Sequence, residues 1–166
     1  MSKTILILRG PCGAGKTHFW KQHEQDLIEA NINYQYIDLL DYVREFPDWE
    51  DRINHVISLV KESETQYIVI EAIFGINSPS YFVLMRGLKH KANIPLDNIQ
   101  NYIALRPYKD CKRGVKKDTE RNIQKRLDLL GKYWEAFDSA ATAERYVPNE
   151  FISSYTGQPI KSILEV

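Results

Sequence analysis

Residues 4–17 read Thr4-Ile5-Leu6-Ile7-Leu8-Arg9-Gly10-Pro11-Cys12-Gly13-Ala14-Gly15-Lys16-Thr17. A run of branched apolar residues passes into a glycine-rich turn. A helix-compatible run follows, His18-Phe19-Trp20-Lys21-Gln22-His23-Glu24-Gln25. Gly10 to Thr17 fits G-x-x-x-x-G-K-[ST] at every position, the pattern of a loop that cradles phosphates. Glycines let the backbone close around phosphate oxygens, with positive φ where needed. The loop amides and the N-terminus of the next helix then point donors at an anion. On this reading Lys16 reaches the β- and γ-phosphates and the Thr17 hydroxyl ligates Mg²⁺. Gly10, Cys12, Gly13, Ala14, Gly15, Lys16, Thr17 and His18 form the expected nucleotide-binding set. The alternative is an ordinary glycine-rich βα turn with a surface lysine. Cys12 is either a small filler within the loop or, with its thiol near a helix N-terminus, oxidation-sensitive.

Outward from this stretch, strands alternate with helices. The pattern predicts strands at 4–9, 34–38, 66–71 and 100–105, with a short last strand at 144–147. It predicts helices from the loop to about residue 30, over 49–63 and 79–92, from 109 onward, and over 120–143, with a brief one near the C-terminus. Trp49, Ile53, Val56, Ile57 and Val60 recur at helical spacing. Gln66-Tyr67-Ile68-Val69-Ile70-Glu71 is apolar until its last residue, as in a strand covered on both faces. The expected fold is a three-layer α/β/α domain with a mostly parallel sheet of about five strands and a helical lid. Length predicts a single domain spanning residues 1–166.

No window approaches the roughly 18 unbroken apolar residues of a membrane span, and the N-terminal run leads straight into the loop, unlike a signal peptide. Cys12 and Cys111 form no CxxC pair, and the four histidines show no zinc spacing. The expected setting is reducing and cytoplasmic. Net formal charge is zero, which argues against a dedicated duplex-DNA binder. Residues 106–126 nevertheless carry nine basic residues against three acidic ones. A local basic block on a neutral protein suits a polyanionic ligand such as a nucleotide.

Ligands of such sheets bind at the carboxyl ends of the strands, which singles out the acids there. Asp38 and Asp41 follow the second strand, and Glu71 ends the third. A carboxylate in such a place holds Mg²⁺ through water or accepts a proton from an attacking hydroxyl. Asp38 has a second reading as a helix cap. Asp41 and Arg44 sit at i,i+3 and either grip one substrate or form a surface ion pair. Glu71 at the end of a buried strand needs a cation or water. Arg113, Lys117 and Arg121 are candidates for clamping phosphates, against the reading of a solvated basic face. Arg86 either contacts substrate or snorkels.

Together these residues resemble the small P-loop kinases, the group of polynucleotide 5′-kinases, zeta-toxin-like, adenylylsulfate and gluconate-type kinases. Gly10–Thr17 matches their Walker A loop. Asp41-Tyr42-Val43-Arg44 is similar to their D-x-[hydrophobic]-R segment, and Ile68-Val69-Ile70-Glu71-Ala72-Ile73-Phe74 to their third-strand motif, with Ala72 for the usual glycine. Tyr102-Ile103-Ala104-Leu105-Arg106-Pro107 with Cys111 and Val115 is similar to their fourth strand and lid entry. Gly114 and Asp118 stand where the family often has arginine. The resemblance implies an ATP- and Mg²⁺-dependent kinase. Lys16, Asp41, Arg113 and Arg121 are its expected catalytic residues. Asp38, Asp41, Arg44, Glu71 and Arg86 are expected to face substrate, and Thr17 and Glu71 to face the metal. A small molecule or nucleotide is the expected acceptor, a polynucleotide 5′-hydroxyl (hence a single-stranded nucleic acid partner) the alternative. An ATPase switch acting through a partner is the alternative of another class. A monomer or homodimer, without membrane association, is expected.

Overall fold

The computed structural model describes residues 3–73, 79–105, 108–117, 122–133 and 150–153. Strand β1 is Thr4–Arg9 and helix α1 is Lys16–Glu29. Strand β2, Tyr34–Asp38, runs into a 3-10 turn at Leu39–Tyr42. Helix α2 is Trp49–Glu62, strand β3 Tyr67–Ala72 and helix α3 Pro79–His90. Strand β4 is Ile99–Leu105, followed by α4, Tyr108–Lys117, and α5, Ile123–Tyr133. Strand β5 is Glu150–Ser153. The expected last strand at 144–147 and the C-terminal helix lie outside the described residues.

The five strands form one sheet in the order β2-β3-β1-β4-β5, every pairing parallel. Branched residues suit a strand buried on both faces, and β1 and β3 are such strands. Ile5, Ile7, Ile68 and Ile70 face a core completed by Ile53, Val56, Ile57 and Val60 of α2 and Tyr81, Leu84 and Leu88 of α3. Leu6, Leu8 and Val69 pack with Trp20 and Leu27 of α1 in a separate cluster. Helices therefore cover both sides, each sealing one parity of the strands. Gly87 lets α3 approach α2, since a Cβ there would stand 2.0 Å from Ile57 Cδ1.

Register positions the site. Leu8 pairs with Glu71 and Asp38 also pairs with Glu71. The carboxyl ends of β1, β3 and β2 are thus level. The loop leaving β1 opens beside two acids. The chain also reverses direction across the sheet there, with β3 on one side of β1 and β4 on the other. Crevices at such a switch point are where open α/β sheets bind ligands.

Candidate active site

The loop after β1 turns on glycines. Gly13 has φ 77° and Gly15 has φ 97°, backbone that a side chain would strain. Gly15 is the N-cap of α1 and supplies no side-chain cap. No acidic residue occupies the first turn of α1. By contrast Asp48 caps α2 through the amides of Glu50 and Asp51, with Glu50 and Asp51 in its first turn. The start of α2 therefore satisfies its own donors, while the start of α1 keeps its amides and positive dipole end for an anion. Lys16 is 8% exposed. Its Nζ donates to the carbonyls of Gly10 at 2.6 Å and Pro11 at 3.1 Å. An ammonium has three protons, so one remains beyond these two bonds.

This loop floors a cavity of about 350 Å³ lined by Cys12, Gly13, Gly15, Lys16, Thr17 and His18. Asp38, Leu40, Glu71, Ala72 and Ile73 form a second wall, and Gly114 and Arg126 close it from α4 and α5. Asp38 is both cap and wall: its Oδ1 accepts from the Leu40 amide at 3.0 Å, and its carboxylate lines the cavity. The cap reading of that residue holds, and the same side chain stands where a ligand in the cavity would meet it. Glu71 is 4% exposed, and the Tyr36 hydroxyl donates to its Oε2. Tyr36 in turn stacks on Trp20 of α1, centroids 5.1 Å apart. A buried carboxylate is thereby tied to the helix that begins at the phosphate loop.

The remaining expected residues fall elsewhere. Gly10 contributes its carbonyl to Lys16, and Ala14 is buried beneath the loop; neither is among the cavity walls. Asp41, Arg44 and Arg86 are exposed and are not among those walls. Asp41 sits in the 3-10 turn beyond β2, past the strand end that carries Asp38. Arg113 is exposed and pairs with Asp110 at 3.6 Å within α4. Arg121 lies outside the described residues. In the sequence Arg126 is one charge of the basic block and Tyr36 one β-prone residue of the second strand, and neither stood out there as a site residue. Arg126 had a signal: it precedes Leu127 and Leu130, the apolar stripe that seats α5.

Beneath the site, Arg9 ends β1 fully buried, its guanidinium carbon 3.8 Å from the centre of the Tyr81 ring. Desolvation lowers its pKa to about 10, partly opposed by Tyr81. On the α1 face, burial lowers the His23 pKa against the opposing charge of Asp26. His23 Nε2 lies 2.8 Å from the Tyr67 hydroxyl. Among the described residues no group of three or more His, Cys, Asp or Glu could hold a metal alone. Mg²⁺ characteristically keeps waters and takes one or two carboxylates plus substrate phosphates. A threonine hydroxyl with two nearby carboxylates fits that donor set.

No protein-family model and no curated protein sequence matches the chain. Solved structures do. The shikimate kinase of Acinetobacter baumannii, in complex with shikimate, superposes with TM-score 0.56 at 15% identity, covering 98% of this chain and 92% of that one. The fold is that of the small P-loop kinases. The APS kinase of Mycobacterium tuberculosis, in complex with AMPPNP and APS, matches the P-loop fold with TM-score 0.55 at 14% identity over 68% of each chain. A structure described only as APE1195 matches with TM-score 0.59 at 14% identity, over 99% of this chain and 92% of its own. No described helix is long and apolar enough to cross a membrane.

Proposed function

We propose that the protein is an ATP- and Mg²⁺-dependent kinase that transfers the γ-phosphoryl group to a small-molecule or nucleotide acceptor. The observation that carries this reading is one cavity holding a phosphate cradle, two carboxylates from adjacent strand ends and a guanidinium-bearing residue. A site for binding phosphate alone needs only the cradle. The carboxylates supply what transfer to a second molecule requires.

The triphosphate lies along Gly13–Thr17, with the amides at the start of α1 facing its oxygens. Lys16 exchanges its bonds to the Gly10 and Pro11 carbonyls for phosphate oxygens. Thr17, with Glu71 through water, is the set that would hold Mg²⁺, whose charge offsets that on the β- and γ-phosphates. Asp38 and Glu71 line the cavity, and one of them accepts the proton of the acceptor hydroxyl. Asp41 stands farther out, with Arg44 and Arg86, where any contact would be with the remote part of the acceptor. Arg126 supplies positive charge at the wall of the same cavity as Lys16, with Arg113 and Arg121 as further contributors from the basic block. Catalysis is then mainly positioning and electrostatic stabilisation. The solved neighbours bound to APS and to shikimate support an acceptor of metabolite size. A cavity of about 350 Å³ falls within the usual range of small-molecule pockets.

The test is a transfer screen. γ-Labelled ATP with Mg²⁺ is offered to pooled nucleosides, nucleotides, sugars, other metabolites and 5′-hydroxyl oligonucleotides, with Lys16→Ala as control. Label in a small-molecule pool that is lost in the control is the expected result. Label in the oligonucleotides would assign a polynucleotide kinase instead. Free phosphate alone, whatever the pool, would contradict the kinase assignment.

A further inference from the structure

The helices beyond β4 meet the phosphate loop glycine against glycine. A Cβ on Gly114 would stand 2.6 Å from the Gly13 carbonyl oxygen and 3.3 Å from its carbonyl carbon and Cα. A Cβ on Gly13 would stand 2.0 Å from the Cys111 carbonyl oxygen and 2.9 Å from Val115 Cγ2. Most of these neighbours are backbone, which cannot swing aside. Apolar burial surrounds the contact: Cys12 and Ala14 of the loop cluster with Cys111 and Val115 of α4 and Leu130 of α5. Ile123 and Leu127 pack against the same cluster.

Arg126 belongs to this arrangement. It lies four residues before Leu130, hence on the same face of α5 one turn earlier. With Leu130 buried in the cluster that includes Ala14, Arg126 reaches the cavity wall alongside Lys16 and Thr17. Gly114 has no comparable use within its own helix. Glycine weakens a helix relative to alanine, and this one sits inside the ten residues of α4.

We propose that Gly114 is a positioning residue. Its missing side chain lets α4 rest backbone against backbone on Gly13, and that seat holds α5 so that Arg126 faces the phosphate end of the cavity. This rests on the kinase reading above, and it accounts for glycine at a position within the basic block. The phosphate-directed guanidinium comes from α5, and α4 provides the bearing surface. A substitution at Gly114 therefore reaches Arg126 as well as the Gly13 backbone it presses on.

The probe is MgADP, titrated with and without aluminium fluoride, which mimics the phosphoryl group in transfer. A group acting on that phosphoryl changes the gain in affinity from aluminium fluoride more than it changes MgADP affinity. Arg126→Ala is expected to cut the gain about tenfold or more, with MgADP affinity held within about threefold. Gly114→Ala, which also presses on Gly13 of the cradle, is expected to cut the gain by a similar factor over and above any loss of MgADP affinity. The double variant is expected to lose no more than Arg126→Ala alone, since residues acting in series are not additive. Leu130→Ala loosens α5 without touching the glycine contact and is expected to show the same pattern, which keeps the test open if Gly114→Ala does not fold. Lys125→Ala, an exposed neighbour of equal charge change, retains the full gain.

A folded Gly114→Ala or Leu130→Ala protein with the full gain would overturn the proposal. So would a double variant whose losses add. Wild-type protein that binds no MgADP, with Lys16→Ala indistinguishable from it, would overturn the kinase reading and the seat together. Lys16-dependent binding with an unchanged gain in Arg126→Ala and Gly114→Ala would overturn the seat alone.

Discussion

Replacing Tyr36 by phenylalanine removes one hydroxyl and nothing else. The ring stays stacked on Trp20, interplanar angle 13°, so packing is conserved and the change isolates the bond to Glu71. Glu71 is 4% exposed, so little of the side chain is open to water that could replace the lost donor, apart from the cavity it lines. Hydrogen bonds to charged groups contribute about 1.5–3 kcal/mol. For a domain of this length each kcal/mol shifts Tm by about 2–4 °C. The expected loss is therefore about 3–12 °C by thermal unfolding at neutral pH. The control is the Glu71→Gln background. There the acceptor is no longer charged, and Tyr36→Phe is expected to cost about 1 kcal/mol less than in wild type. A loss below about 0.5 kcal/mol in wild type, or an equal loss in both backgrounds, would refute the claim that this hydroxyl holds the carboxylate.

Gly87→Ala drives a methyl group onto Ile57 Cδ1 and is expected to destabilise by about 1–3 kcal/mol; adding Ile57→Val should recover part of that loss in urea unfolding. The His23 pKa is lowered in the folded protein, so the unfolded chain binds more protons below its ordinary pKa of 6.5. The His23 contribution is therefore intact above that value and is lost as pH falls through it toward the folded pKa. Urea midpoints are expected to drop between pH 7.5 and pH 5.5, and His23→Gln should flatten that slope. Asp38→Asn is expected to lower phosphoryl transfer more than Asp41→Asn, because Asp38 lines the cavity and Asp41 does not; equal kcat losses in steady-state kinetics would count against that ranking.

Local chemistry was legible. Gly10–Thr17 carries its reading in eight consecutive residues, and the apolar runs Ile5–Leu8 and Ile68–Ile70 announced buried parallel strands. Even boundaries followed where punctuation was strong: the first helix was expected to about Ala30 and ends at Glu29. What depends on register was not legible. Tyr36 meets Glu71 only because β2 and β3 pair in parallel with Asp38 beside Glu71, and a one-residue slip would turn Tyr36 to the other face. Arg126 enters the cavity through the packing of α5 on the loop, a contact between segments about a hundred residues apart. Asp41 and Arg44 matched a spacing, but the chain spends four residues in a 3-10 turn, leaving both exposed while Asp38 takes the wall. The expected strand at 144–147 falls outside the described residues; β5 occupies Glu150–Ser153.

The central claim is that the cradle at Gly10–Thr17 holds a nucleoside triphosphate. The direct measurement is calorimetric titration of wild-type and Lys16→Ala protein with the non-hydrolysable analogue AMPPNP in Mg²⁺. Losing charge-assisted bonds of about 1.5–3 kcal/mol corresponds to roughly 10- to 150-fold in affinity. Saturable one-site binding by wild type, weakened by that factor in a Lys16→Ala protein that remains folded, is the predicted result. Absence of binding by wild type, or equal affinity in the two proteins, would contradict it.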